Sequence, residues 1–225
     1  MQDFLSKVSI KVNKHIYLKN PESSDLGKKI VAGSIELIQE LGIDQFNFRK
    51  LGQHISTTEA SIYRYFENKH KLLLYLTAWY WRWMESRLFF ATTNIDCPLE
   101  RLRRAVATVS EKVKQDSSFT HINEVKLQQI IIAESTKVYF TKSVEEEDRL
   151  GVYGSYKQLI EQISFIISEI NPTYKYPNML ISTVVEGALH QRYFAEHIPS
   201  LTDSLNDEDA IINFYTNLVI NAIKN

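Results

Sequence analysis

The stretch TTEASIYRYFENKHKLL, from Thr57 to Leu73, decides how the N-terminal third of this chain is interpreted. Two tyrosines, an arginine and two lysines surround the apolar side chains of Ile62 and Phe66, and a threonine stands before the first helical turn. A core helix needs few hydrogen-bonding groups at one end, and a plain surface helix needs few aromatic side chains. The stretch therefore indicates a helix that contacts a partner.

Helical patterns lie on both sides of this stretch. A first helix is predicted from Asp25 to Leu41, with Ser24 as its N-cap and Gly42 as its stop. A long helix is predicted from Lys69 to about Phe90, and at ~1.5 Å per residue it would span roughly 30 Å. That length is enough to connect a small N-terminal domain to a larger body.

Two short helices are predicted between these long ones. Asn47 caps a helix from Phe48 to about His54, and the sequence STT then leads into a helix from Glu59 to Tyr65. Two helices of about two turns, joined by a short turn, have the dimensions of a helix-turn-helix.

The remainder of the chain predicts a helical body. Only 7 Gly and 5 Pro occur in 225 residues, which argues against a β-sandwich and predicts an all-α fold. The body helices are predicted at residues 99–115, 122–140, 146–170, 177–197 and 207–224. The last two are apolar around much of their circumference, so each must bury two faces.

The N-terminal extension has a different pattern. Apolar and polar residues alternate between Val8 and Val12 and again between Ile16 and Leu18, which predicts a short β-hairpin. A lysine-bearing arm is the alternative.

Composition points to a polyanionic partner at the N-terminal end. The net charge is -1, but residues 1–75 hold 11 Lys and Arg against 8 Asp and Glu. One cysteine, Cys97, and the lack of a signal-like or membrane-length apolar run predict a cytoplasmic protein without contact to a membrane.

Motifs of catalysis are missing from the sequence. The glycines form no phosphate-binding loop, no G-x-S-x-G occurs, and Cys97 has no neighbouring histidine. Glu186, His190 and His197 have helical spacing, but solvated or interface histidines explain them better than a metal site. No enzyme activity, metal or cofactor is predicted, and an enzyme built on the helical body is the weakest alternative.

The sequence FNFRKLGQHISTTEASIYRYFENKHKLLL resembles the DNA-binding domain of TetR-like bacterial transcriptional regulators, and the resemblance runs from Ile30 to Leu76. It implies an N-terminal extension at 1–24, a helix-turn-helix DNA-binding domain at 25–70, and a helical ligand-binding and dimerisation domain at 71–225. Two positions depart from the family: Ser56 stands where Gly is common, and Glu59 stands where Lys is common.

The resemblance also implies which residues contact DNA. Asn47 and Arg49 would meet phosphate at the front of the first short helix, and Lys69 matches the family's phosphate-contacting lysine. The full set of predicted DNA contacts is Asn47, Arg49, Thr57, Thr58, Glu59, Ala60, Ser61, Tyr63, Arg64, Tyr65 and Lys69.

For the body, the resemblance implies a homodimer that binds a palindromic operator in double-stranded DNA and is released by a small-molecule ligand of unknown identity. The predicted dimer interface consists of Val184, Gly187, Ala188, Tyr215 and Leu218. The predicted pocket residues are Trp79, Trp83, Phe90, Tyr139, Tyr153, Tyr156 and Phe165. The alternative function is a helical interaction protein that retains the N-terminal domain without binding DNA.

Overall fold

The computed structural model describes residues 10–203 and 209–224, which contain helices and no strands. The eleven α-helices of this part are α1 Asp25–Gln45, α2 Phe48–His54, α3 Glu59–Tyr63, α4 Lys69–Thr92, α5 Pro98–Ser110, α6 Glu124–Glu134, α7 Thr136–Tyr139, α8 Val144–Arg149, α9 Gly154–Ile170, α10 Pro177–His197 and α11 Ala210–Lys224. Short 3-10 turns occur at Lys14–Ile16, Pro21–Ser23 and Pro199–Leu201. The all-α fold class is confirmed.

The chain divides into two compact units. Unit 1 consists of Met1–Arg82 and Val113–Gly154, and unit 2 consists of Trp83–Lys112 and Ser155–Asn225. The N-terminal domain therefore shares a unit with α6, α7 and α8, whereas the sequence-based division placed a boundary at residue 70.

In unit 1, α1 is defined by its two ends. Ser24 Oγ accepts a hydrogen bond from the Gly27 amide at 3.2 Å, as expected for an N-cap. At the other end Gly42 has φ 73°, a left-handed conformation that interrupts the helix. The buried face of α1, which includes Ile30 and Ile38, packs against α6.

The predicted β-hairpin is wrong over residues 10–20, which contain no strand; residues 8 and 9 lie outside the described part. Asn13 Oδ1 accepts a hydrogen bond from the His15 amide at 2.9 Å and starts a 3-10 turn. Asn13 Nδ2 donates to the Leu150 carbonyl at 2.8 Å, and Ile10 and Ile16 are buried. Of the alternating apolar residues, Ile10 and Ile16 are part of the core of unit 1, whereas Leu18 is 66% exposed.

Several predicted body helices are shorter than expected. The segment 146–170 is broken at Gly151, whose φ of 74° ends α8. The first body helix stops at Ser110, where Arg192 donates from Nε and Nη2 to the Ser110 carbonyl at 3.1 and 2.9 Å. Capping by a side chain that is distant in the sequence has no local signal, so the hydrophobic pattern overestimated the length of this helix.

Unit 2 is built around α5, α10 and α11, which pack on one another. Gly187 on α10 makes room for Tyr215 on α11, because a Cβ at Gly187 would lie 2.4 Å from the Tyr215 hydroxyl oxygen. Within the described residues, no helix combines the length and apolar character needed to cross a membrane.

Candidate nucleic-acid interface

The first helix of the helix-turn-helix, α2, begins at a side-chain cap. Asn47 Oδ1 accepts a hydrogen bond from the Lys50 amide at 2.8 Å, which confirms the predicted cap. Phe48 and Leu51 are buried, while Arg49 and Lys50 are exposed. The start of α2 therefore presents cations beside free helical N–H groups, an arrangement suited to phosphate.

The turn between α2 and α3 is tight. The Thr57 amide donates to the Gly52 carbonyl at 2.8 Å, and a Cβ at Gly52 would lie 2.8 Å from the Thr57 carbonyl oxygen. Ser56, which stands where Gly is common in the family, has φ 55° and adopts the left-handed conformation. The close approach fixes α3 relative to α2.

The second helix, α3, presents one face and buries the other. Thr58 Oγ1 accepts a hydrogen bond from the Ser61 amide at 3.2 Å and forms the N-cap. Ile62 and Phe66 are buried and anchor the helix. The exposed face carries Glu59, Ala60 and Arg64, and Ser61 and Thr57 are half-buried beside it. These groups are the ones available to read base edges.

Tyr63 lies at the edge of this face. Its ring packs edge-to-face on Phe48 of α2 with centroids 5.0 Å apart, and its side chain remains 48% exposed. The ring thus joins α3 to α2 while about half of the residue remains exposed.

The predicted phosphate contact of Tyr65 is contradicted by its burial. Tyr65 is 3% exposed, and its hydroxyl lies 2.7 Å from Ser24 Oγ. The hydrogen bond with Ser24 and the nearby charge of Lys19 lower the pKa of the Tyr65 hydroxyl. Tyr65 connects α3 to the start of α1 within unit 1.

The predicted phosphate contact of Lys69 stays a prediction, and Lys69 is exposed. Lys69 Nζ donates to the Ile43 carbonyl at 2.9 Å, the Asp44 carbonyl at 3.2 Å and the Phe46 carbonyl at 3.4 Å. An ammonium group has three donors. Lys69 therefore holds the segment before α2 through these three carbonyls.

Lys19 is a candidate that sequence reasoning did not single out among the contacts. The Leu18 amide donates to the Tyr65 carbonyl at 2.8 Å, and this bond fixes the N-terminal segment to the end of α3. Lys19 Nζ lies 5.0 Å from the centroid of the Tyr65 ring and is exposed. Its charge is therefore held over the Tyr65 ring, and no local sequence signal predicts this tertiary contact.

The aromatic residues predicted to line one pocket have separate roles. Trp79 and Trp83 are buried in the cores of units 1 and 2, respectively. In unit 1 Tyr139 accepts a hydrogen bond from Trp81, and Tyr153 donates to Glu147. In unit 2 Tyr156 donates to Glu186, and Phe90 is exposed.

Phe165 alone of the predicted set lines a described cavity. This groove in unit 2 has a volume of about 500 Å³. Its lining residues are Leu88, Phe89, Thr92, Thr93, Arg101, Glu161, Gln162, Phe165 and Ile166. The volume is within the range of small-molecule sites, which are usually apolar with a few polar groups.

The predicted dimer residues are mostly internal to the chain. Val184, Ala188 and Tyr215 are buried, and Gly187 accommodates Tyr215 of the same chain, so these four do not present a surface to a partner. Leu218 differs, because it is 40% exposed. Phe214 lies one turn before Leu218 on α11 and is 59% exposed.

Residues 30–76 match the family described as "Bacterial regulatory proteins, tetR family". Two solved structures share the overall fold. The fatty acid degradation regulator FadR from Bacillus halodurans is 15% identical, with a TM-score of 0.53 over 89% of this chain and 95% of FadR. Apo AibR is 16% identical, with a TM-score of 0.50 over 85% of this chain and 96% of AibR. No curated protein matches the chain at a significant level.

Proposed function

We propose that the chain is a TetR-family DNA-binding transcriptional regulator, on the basis of the match over residues 30–76, and that it acts in the cytoplasm as a homodimeric repressor. It binds a palindromic operator and is released from it by a small molecule. Transcriptional regulators of this family are non-enzymatic. The observation that carries the proposal is the exposed face of α3, where Glu59, Ala60 and Arg64 stand on a helix anchored by buried Ile62 and Phe66.

Recognition divides between base edges and phosphates. Glu59 accepts a hydrogen bond from a cytosine amino group, and Arg64 donates to guanine or to phosphate. Arg49 and Tyr63 contact the backbone on either side and set the register of α3 in the major groove. Asn47, Thr57, Thr58 and Ser61 support these contacts by fixing the two helix starts.

Dimerisation uses the exposed side of α10 and α11. Phe214 and Leu218 form an apolar strip on α11, and Met179 and His190 are exposed on α10. Pairing of this surface with its copy about a twofold axis removes the apolar side chains from water and brings two α3 helices to a palindromic site. Half-sites are then about one helical turn of DNA or somewhat more apart.

The groove lined by Phe165 is the candidate ligand site. Leu88, Phe89 and Ile166 provide apolar area, and Arg101 provides a cation that is also paired with Glu169 at 2.7 Å. FadR is a regulator of fatty acid degradation. The ligand proposed for this groove is a small molecule with an apolar part.

The direct test is selection of bound duplexes from genomic fragments of the source organism, at low and moderate salt. We expect enrichment of a palindromic sequence that survives moderate salt, because base contacts depend less on salt than phosphate contacts do. Retention of no fragment, or of all fragments equally, would support the alternative of a helical interaction protein that keeps the N-terminal domain without specific DNA binding.

A further inference from the structure

The α1–α2 turn, residues 42–46, connects the straight part of α1 to the start of α2. Gly42, with φ 73°, redirects the chain at the start of this turn. Asn47 caps α2 directly after it, and α2 is joined to α3 by the contact between Phe48 and Tyr63. The position of the turn therefore sets the position of both DNA-binding helices.

A buried carboxylate from α6 holds this turn. Glu134 is 6% exposed, and its Oε1 accepts a hydrogen bond from the Ile43 amide at 2.9 Å. Its Oε2 lies 3.0 Å from Lys137 Nζ, and the same ammonium lies 2.6 Å from Asp44 Oδ2. Glu134 thus binds the backbone of the turn directly and the side chain of Asp44 through Lys137.

The turn is held from α4 as well. Lys69 Nζ donates to three carbonyls of the turn, while Glu134 takes the Ile43 amide. A buried carboxylate that loses its partners is costly, because neither water nor another donor replaces them. Any displacement of the turn from α6 breaks the hydrogen bond between Glu134 and Ile43. The observed position of the turn against α6 is therefore favoured over displaced positions.

We propose that Glu134 is a positioning residue for DNA binding, which holds the α1–α2 turn, and with it α2 and α3, in the arrangement that fits DNA. The inference rests on the proposed function and adds to it a contact, between α6 and the α1–α2 turn, that positions the helices for DNA. A shift of α6 acts on the DNA-binding helices through two contacts, Glu134 with Ile43 and Lys137 with Asp44. Neither Glu134 nor Lys137 touches DNA itself.

The test compares Glu134→Ala and Glu134→Gln on a duplex that the wild-type protein selects from a random pool. Glu134→Ala is expected to weaken binding by about tenfold or more with an unchanged salt slope, because no phosphate contact is lost. Glu134→Gln keeps an acceptor oxygen for the Ile43 amide and is expected to retain most of the affinity. Glu40→Gln, at an exposed position of α1, removes the same charge and should bind as the wild type does.

Hydrogen exchange at the Ile43 amide provides a second readout, which should accelerate in Glu134→Ala and change little in Glu134→Gln. If Glu134→Ala exchanges faster at Ile43 yet binds the duplex with wild-type affinity, the positioning role is overturned while the proposed function stands. If the wild type selects no duplex, the proposed function falls, and the positioning role with it.

A variant of Asp44, the exposed partner of Lys137, covers the case in which Glu134→Ala does not fold. Asp44→Asn removes the ion pair with Lys137 at an exposed position. A loss of affinity in the same direction but smaller than tenfold supports the role. If Glu134→Ala cannot fold and Asp44→Asn binds the duplex with wild-type affinity, the positioning role of Glu134 is overturned.

Discussion

Tyr63 on α3 and Phe48 on α2 pack edge-to-face with their ring centroids 5.0 Å apart, so this ring contact helps to join the two helices of the helix-turn-helix. The ring of Tyr63 supports the fold and its exposed hydroxyl is proposed to donate to phosphate. Tyr63→Phe separates these roles because it keeps the ring. We expect unchanged thermal stability and a loss of about 0.5–1.5 kcal/mol in binding to all duplexes, measured by titration. Binding equal to the wild type would remove Tyr63 from the phosphate contacts.

Lys19 is predicted to contribute one phosphate contact, because its charge is held over the Tyr65 ring at the end of α3. Lys19→Ala should lower the slope of log K against log salt by about 0.9. Lys14→Ala is the matched control, since Lys14 is exposed on the same segment but lies in its 3-10 turn. An equal change in both variants would mean that only the net charge matters and that Lys19 makes no contact of its own.

Leu218→Glu is predicted to weaken the dimer, because it places a charge on the exposed apolar strip of α11 without touching the core. Sedimentation at micromolar concentration should show a dimer for the wild type and a shift toward monomer for Leu218→Glu. Val184→Glu is not a suitable test, since Val184 is buried and its replacement would unfold unit 2. Ser168→Glu, at an exposed position of α9, controls for added charge. A wild-type monomer would contradict the twofold assembly.

Stability is predicted to fall in acid through Glu147. Burial alone would raise the pKa of this carboxyl, but hydrogen bonds from Tyr153, His70 and Ser143 lower it below its ordinary value. Lys71 Nζ lies 4.0 Å from Glu147 Oε1. Because the pKa of Glu147 is lower in the folded chain, the unfolded chain takes up the proton first as the pH falls. The contribution of Glu147 to the free energy of unfolding is therefore complete above about pH 5 and declines as the pH falls toward the folded-state pKa.

Glu147→Gln is the variant that checks this dependence by urea unfolding between pH 4 and pH 7. It should be less stable than the wild type at pH 7 and should lose less stability on acidification. Glu145→Gln changes an exposed neighbour and should keep the wild-type profile. Identical acid sensitivity in Glu147→Gln and the wild type would assign the effect to other carboxyl groups.

The helix ends were predictable because their signals are local. Ser24 and Asn47 cap the helices expected of them, since a cap depends on residues within one turn, and Gly42 interrupts α1, although the helix resumes as far as Gln45. The roles of Tyr65 were not predictable in this way. Its burial depends on Ser24, which is 41 positions away in the sequence, and periodicity does not register such contacts.

The same limit of helical periodicity applies to the helical body that follows the helix-turn-helix. Aromatic residues at helical spacing fit a pocket lining and a packed core equally well, and most of those predicted to line a pocket are buried or hydrogen-bonded within their own unit. Gly187 was expected to admit a partner chain, but it admits Tyr215 of its own chain. A small residue indicates close approach without identifying which group approaches.

The most direct test of the central claim, that α3 reads DNA sequence, is selection from a random duplex pool by the wild type, Glu59→Gln and Glu40→Gln in parallel. Glu59 is exposed at the start of α3, and a carboxylate there favours cytosine, whereas a glutamine favours adenine. We predict that Glu59→Gln changes the preferred base at one position in each half-site, while Glu40→Gln selects the wild-type site. Identical selected sites for the wild type and Glu59→Gln would contradict the claim.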